Sequence, residues 1–476
     1  MTAPTTTDSD RATELIAEIF KGKPEDPSAL YEEAREIGDG VHFFAPANAY
    51  LAFRYDDVQT IAVDPNFSSD FVDQWPIARD PGNTDDIRFV DFARRFMAFN
   101  DPPRHTALRG IVRKAFMPNA VTRWRPTVER AVDELLGQFT AGDEVDFVSQ
   151  LSVDVPVEAI CAVLGIDDLD RPMIRAGTHG LSSAFDPNIL VDARSAAIRD
   201  ALRMADEVDA VIAKRRAKPA GDLISVVLES QATEGAGLDA ADLLTQIVFL
   251  LAAGNHTTIN MLSNGVLHLL QHPDQRALLS GDPGLANDFI NESLRMEPPI
   301  HIPPPRLVKE TTVLGETELP AGSLVFQVLA AANRDPRKFD SPGEFRIARR
   351  PNRHMTFNHG IHSCVGAPLA RLEGEVFFTR FLARFPDFAA GTEPVRLPSG
   401  HVQVRGVETL PIRLVPDPIL RTRAKAVGRG DMAEVRMLLP RMFATMYRAP
   451  GMTTARPFPS ARSPASMTGS GSASRL

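Results

Sequence analysis

From Asp10 to about Ile290, apolar residues recur mostly at three- and four-residue spacing, the period of a helix with one buried face. In Thr127–Phe139 they fall at Val128, Val132, Leu135, Leu136 and Phe139. Arg194–Arg216 repeats the pattern through Ile198, Leu202, Ala205, Val208 and Ile212. The longest such segment, Ala241–Gln271, stops before Pro273 and predicts a central helix. Ala367–Phe385 predicts another. Short β-like runs appear at Gly40–Phe53, Arg306–Val313 and Ser323–Val328. Pro298–Pro305 carries five prolines and reads as an extended connector. Many helices with small strand pairs near both ends predict a mainly α, α+β architecture.

Composition narrows the picture only a little. The net charge of −9 over 476 residues argues against a general nucleic-acid binder, which carries a basic face. The longest strongly apolar run, Ile247–Ala253, is far too short for a membrane span. The N-terminal MTAPTTTDSD has neither a basic stretch nor an apolar core, so it is not a secretory signal and a cytoplasmic protein is expected. Beyond about Val415 the character changes. Residues 416–476 are rich in Ala, Ser, Pro and Met, and Ile419–Leu476 holds ten Lys/Arg against two acids. That segment predicts a basic, largely disordered extension to a domain of residues 1–415.

Two cysteines do not make a disulfide framework. Cys161, in VPVEAICAVLGI, reads as an inert buried residue. Cys364 stands in the loop FNHGIHSCVGAPLAR, bracketed by Gly360 and Gly366 and just before a predicted helix. Backbone N–H groups and the helix dipole favour a thiolate at such a place. The local residues leave three readings open. These are a thiolate ligand for haem iron, a structural glycine turn with a spare cysteine, and a zinc cluster of His354, His359, His362 and Cys364 without the usual paired spacing.

The loop resembles the haem-binding signature of the cytochrome P450 family at Phe357, Gly360, His362, Cys364 and Gly366, with Asn358 where the family most often has glycine. Three further segments are similar to that family. Glu292 and Arg295 stand one helical turn apart, and the resemblance makes them a structural ion pair that Arg349 joins. In DPPRHTALR, His105 and Arg109 share a helix face, and the resemblance gives them, with Arg306 and His362, to the haem propionates. In AAGNHTT of the central segment, Thr257 matches the family's oxygen-activating hydroxyl, while His256 stands where an acid relays protons. An imidazole can also carry a proton near neutral pH, so His256 is either a relay or a helix-surface residue turned away.

The resemblance covers roughly residues 10–415. It implies the cytochrome P450 fold, a helix-rich lobe with a small β-rich lobe and haem b between the central helix and the cysteine-loop helix. It implies an O2-dependent monooxygenase, a monomer that takes electrons from a ferredoxin and its reductase. Arg104, Arg113 and Lys114 are the candidate docking patch. The expected substrate pocket is Val248, Ala252, Ala253, Ile300, His301 and Ile302 with the loop around Phe71–Val90, mostly apolar and suited to an apolar or amphipathic small molecule. The alternatives are a haem-thiolate enzyme of another kind (nitric-oxide reductase-like or peroxide-using) and a non-catalytic haem binder.

Overall fold

A computed structural model describes residues 8–21, 26–166, 170–185, 191–234, 237–391, 395–396 and 403–415. The expected C-terminal extension, residues 416–476, lies outside the described residues. Helices dominate, as the periodicity predicts. Those that carry the site or pack on its central helix are α1 (Arg104–Arg113), α2 (Arg171–Ala184), α3 (Val191–Ala217), α4 (Ala240–Gln271), α5 (Ala286–Met296) and α6 (Ala367–Arg384). Helix α4 is the central one. Asp239 caps it reciprocally, its side chain accepting from the Asp242 backbone while the Asp242 carboxylate accepts from the Asp239 backbone. Helices α2, α3, α5 and α6 all pack against it, so 22 of its 32 residues are buried.

The predicted strand runs form one five-stranded sheet, with a short strand the pattern did not mark. Its members are β1 (Val41–Phe44), β2 (Ala49–Ala52), β3 (Phe67–Ser68), β4 (Arg306–Val308) and β5 (Leu324–Gln327), in the order β1-β2-β5-β4-β3. β2 and β5 run parallel and the other pairs antiparallel. Val41, Tyr55, Val58, Val308, Val325 and Met355 form the apolar layer under this sheet, separate from the large core around α4. The proline-rich connector does run extended. Ile300 bridges to Val404, and Arg306 at its end begins β4.

Candidate haem and oxygen site

The cysteine loop is fixed by its own backbone. Cys364 N–H donates to Phe357 O at 2.8 Å, and Asn358 N–H to Met355 O at 2.7 Å. Gly360 has φ +71°, and a Cβ there would come within 2.7 Å of Ala62 O, so both conformation and space require glycine. Asn358, the departure noted in the sequence, sits at φ +54°, a left-handed conformation that asparagine tolerates better than most residues. Its Oδ1 accepts from His359 N–H and its Nδ2 donates to Gln327 Oε1, so the turn keeps its shape without glycine.

Cys364 is exposed and borders a cavity. Burial pushes its pKa up, against the pull of Gly366 and Ala367 N–H groups and of Arg109 and Arg371. The N–H groups at the helix start thus favour a thiolate, as the sequence suggested, while burial opposes it. Among the described residues no three His, Cys, Asp or Glu side chains cluster to hold a metal ion, which removes the zinc reading.

Four nitrogen-bearing side chains from three segments meet at the same cavity of ≈ 310 Å3. His105 and Arg109 come from α1, Arg306 from β4 and His362 from the cysteine loop. The rings of His105 and His362 lie 4.2 Å apart. Arg109 donates to Ser363 O at 2.8 Å, and His362 Nε2 lies 2.9 Å from Ser69 Oγ. Both ring nitrogens of buried His105 lack a hydrogen-bond partner. Burial, then the neighbouring arginines, lower His105 to about 4; burial, Arg306, His105 and Arg109 lower His362 to about 2. Burial likewise brings Arg306 down to about 10, with Asp101 opposing it. Two arginines disfavoured as cations by burial, beside two histidines that burial holds neutral, are complementary to an anion. The two carboxylates of haem b fit that requirement, and a thiol bordering the same cavity fits its iron.

Behind the loop lies a buried ion triad. Arg295 donates to both Glu292 oxygens, at 2.8 and 2.9 Å, and Arg349 Nε reaches Glu292 Oε1 at 3.1 Å. Arg295 and Glu292 have no solvent exposure. Arg295 also holds the carbonyls of Asn333, Pro342 and Glu344. Asn333 in turn accepts from Met355 N–H and donates to Thr356 Oγ1, so the triad braces the chain leading into the cysteine loop.

On the central helix, the cavity face is Phe249, Leu250, Ala253, Gly254, Thr257, Thr258 and Met261. Of the expected pocket residues on this helix only Ala253 belongs to it. Val248 and Ala252 point about 100° away into the core, because each helical residue turns by that much. A Cβ on Gly254 would meet nothing within 4 Å, so this glycine does not serve close helix packing. Thr257 donates to Ala253 O at 2.7 Å and borders the cavity. His256 does not border it. Its ring lies 5.2 Å from that of His179 on α2.

The connector divides in the same way. Ile300 borders the cavity, whereas His301 and Ile302 do not. His301 is buried with Nδ1 3.0 Å from Tyr31 Oη, and Ile302 packs beside Leu15, Ile16 and Phe53. Between Phe71 and Val90 only Phe71 reaches the cavity; Thr84–Ala93 is a helix whose Val90 packs in the core. Several contributors escaped the sequence reading, among them a short wall segment and an acid. Met97, Ala98 and Phe99 form part of the wall, signalled only by the apolar FMAF before Asn100. Glu373, on α6, also borders the cavity, 3.3 Å from Thr258 Oγ1, and burial raises its carboxyl to about 8. It sits nine residues after Cys364, inside a stretch whose pattern is that of an ordinary buried helix face.

A thiol, an anion-seeking cluster and a helix with an open glycine and a threonine, all on one cavity, define a haem-thiolate oxygenase. Residues 284–400 match the model of the family described as Cytochrome P450. Over 379 residues the chain is 36% identical to Cytochrome P450 107B1 of Saccharopolyspora erythraea, covering 77% of this chain and 89% of that protein. It is 32% identical to 6-deoxyerythronolide B hydroxylase of the same organism, over 81% and 95% of the two chains. Among solved structures, P450BioI in complex with an acyl carrier protein ligated to hexadec-9Z-enoic acid superposes with a TM-score of 0.76 at 27% identity, over 82% of this chain and 99% of that one. The chain belongs to the cytochrome P450 family. It is a haem b monooxygenase acting on small molecules, working with redox partners, and no helix among its described residues is long and apolar enough to cross a membrane.

Proposed function

We propose that Cys364 would be the thiolate ligand of the haem iron, that His105, Arg109, Arg306 and His362 would hold the propionates, and that Thr257 and Glu373 would hold or pass protons beside the cavity. When bound, haem b supplies the iron at which O2 is reduced and split, one atom going to substrate and one to water. The observation that carries the assignment is the four-donor cluster, short of anions, on the same cavity as Cys364. Cys364 must lose its proton to bind iron, and the Gly366 and Ala367 N–H groups with Arg109 and Arg371 stabilise the resulting charge. With two propionates bound, Arg109 and Arg306 would regain the counter-charge that burial denies them, and His105 would become more basic. Thr257 spends its proton on Ala253 O and so presents lone pairs to the cavity. Glu373, neutral at pH 7, carries a proton beside Thr258, which compensates for an imidazole at 256 that does not border the cavity.

The substrate is an apolar or amphipathic small molecule, since Phe71, Phe99, Phe249, Ile300 and Ala253 form its walls. Electrons come from a ferredoxin and its reductase, and the enzyme works as a cytoplasmic monomer. Of the basic docking candidates, Arg113 and Lys114 are exposed. Arg104 is exposed as well, although it also donates to buried Asp242 at 2.7 Å, so Arg113 and Lys114 are the two whose reversal leaves that bond intact. Charge reversal at Arg113 and Lys114 is expected to slow ferredoxin-supported reduction several-fold at low salt; an unchanged rate rejects the patch. The ligand itself is tested by the reduced carbon-monoxide complex, which shows a strongly red-shifted Soret band only with a thiolate. Cys364→His abolishes that band if the assignment holds, and its survival refutes it.

A further inference from the structure

The cavity face of α4 does not end at Phe249. One and two turns toward the N-terminus, the same face carries Gln246 and Asp242, both buried and neither bordering the cavity. Both side chains bind one neighbour, the stretch Arg95–Phe99 whose Met97, Ala98 and Phe99 form cavity wall. Gln246 Oε1 accepts from Met97 N–H at 2.9 Å, and Gln246 Nε2 donates to Arg95 O at 2.7 Å. Asp242 Oδ1 receives Arg95 Nη1 at 2.8 Å and Arg104 Nη2 at 2.7 Å. Asn100 closes the far end by donating to Arg94 O and Phe96 O.

The stretch is too short and irregular to satisfy its own backbone, with only a single 3-10 turn at Met97–Phe99. Its position over the cavity therefore depends on a buried amide and a buried carboxylate borrowed from the central helix. Asp242 also joins it, through Arg104, to the helix that carries His105 and Arg109. The wall that meets the substrate and the helix that meets the cofactor thus share one carboxylate.

We propose that Gln246 and Asp242 are positioning residues for substrate specificity: without touching the substrate, they hold Met97–Phe99 in place and so fix the shape of the pocket. The proposal rests on the haem reading above for the location of the substrate, but the restraint itself does not. Its test uses the holoenzyme and two iron-binding probes. Imidazole is small; phenylimidazole adds a ring that must find room against the walls. Gln246→Leu, which leaves two buried backbone groups unpaired, is expected to cut the affinity ratio of phenylimidazole over imidazole about tenfold. Hydrogen exchange at the Met97 amide accelerates in parallel, while α6 exchanges as before. Asp242→Asn, which keeps a capping oxygen but loses the charge, shifts the ratio the same way by about threefold, and Asp242→Glu restores part of it.

A ratio that stays within about twofold in Gln246→Leu, or a Met97 amide that remains protected, overturns the proposal. So does equal weakening of both probes, which marks a merely structural role. If imidazole produces no haem spectral shift even in the unaltered protein, the haem reading falls and takes the proposal with it.

Discussion

Glu373 gives the most quantitative test of the site. Its carboxyl is fully enclosed, accepts one hydrogen bond of 3.3 Å from Thr258, and is raised by burial to about 8 from an ordinary 4.5. The folded chain therefore keeps a proton that the unfolded chain releases. Below about pH 4.5 both states are protonated and Glu373 costs nothing. As pH rises from there to about 8, stability falls by ~1.4 kcal/mol per pH interval, and the loss is complete, at about 5 kcal/mol, once the folded carboxyl also ionises. Glu373→Gln has nearly the same shape, can still accept from Thr258 and is neutral throughout. Urea unfolding at fixed protein and haem concentration, repeated across this range, isolates the term. Near the acid end the two proteins should differ by less than ~1 kcal/mol; near pH 8 the variant should be more stable by about 3–4 kcal/mol. A difference that stays constant to within ~0.5 kcal/mol refutes the reasoning, because it means the carboxyl ionises at its ordinary value.

Arg295→Lys keeps the charge beside Glu292 but cannot span Glu292 and the carbonyls of Asn333, Pro342 and Glu344, so it is expected to cost about 2–4 kcal/mol in denaturant unfolding. A cost under ~1 kcal/mol shows that the fork geometry is irrelevant. Arg306→Gln removes a buried cation from the anion cluster and should speed haem transfer to an apoglobin on the order of tenfold, with the carbon-monoxide band position unchanged. Ala253→Phe fills the pocket and should suppress spectral shifts by bulky ligands. Val248→Ala, one face away, should leave those shifts alone and lower stability by about 2 kcal/mol. Equal ligand effects from the two would place the cavity face of α4 wrongly.

What the sequence disclosed followed the range of the interactions. The cysteine loop was legible because glycines, histidine and cysteine that act together are also adjacent in the chain, and their backbone demands leave a residue-type imprint. Glu292 and Arg295 were legible as a pair for the same reason, one helical turn apart. Their burial was not, since the three carbonyls that make it tolerable come from residues 38 to 49 positions away. His301 misled for a related cause. A histidine among prolines beside a pocket-lining isoleucine looks available to a ligand, yet its partner is Tyr31, 270 residues upstream.

The central helix shows where pattern fails in a different way. Periodicity locates a helix and finds its solvent face, but α4 is buried on nearly every side, so apolarity no longer says which direction is which. Ala252 and Ala253 are identical in the sequence and opposite in role; only packing against α2, α5 and α6 separates them. Once that direction is known, the row 242, 246, 249, 253, 257 and 261 becomes readable. It passes from a carboxylate and an amide that hold a neighbouring segment, through an aromatic ring and a methyl that shape the pocket, to a hydroxyl beside the cavity. A single helix face thus carries restraint, shape and a cavity-side hydroxyl in order along its length. A polar residue on that row is therefore a statement about which element it binds, not a lapse in an apolar pattern.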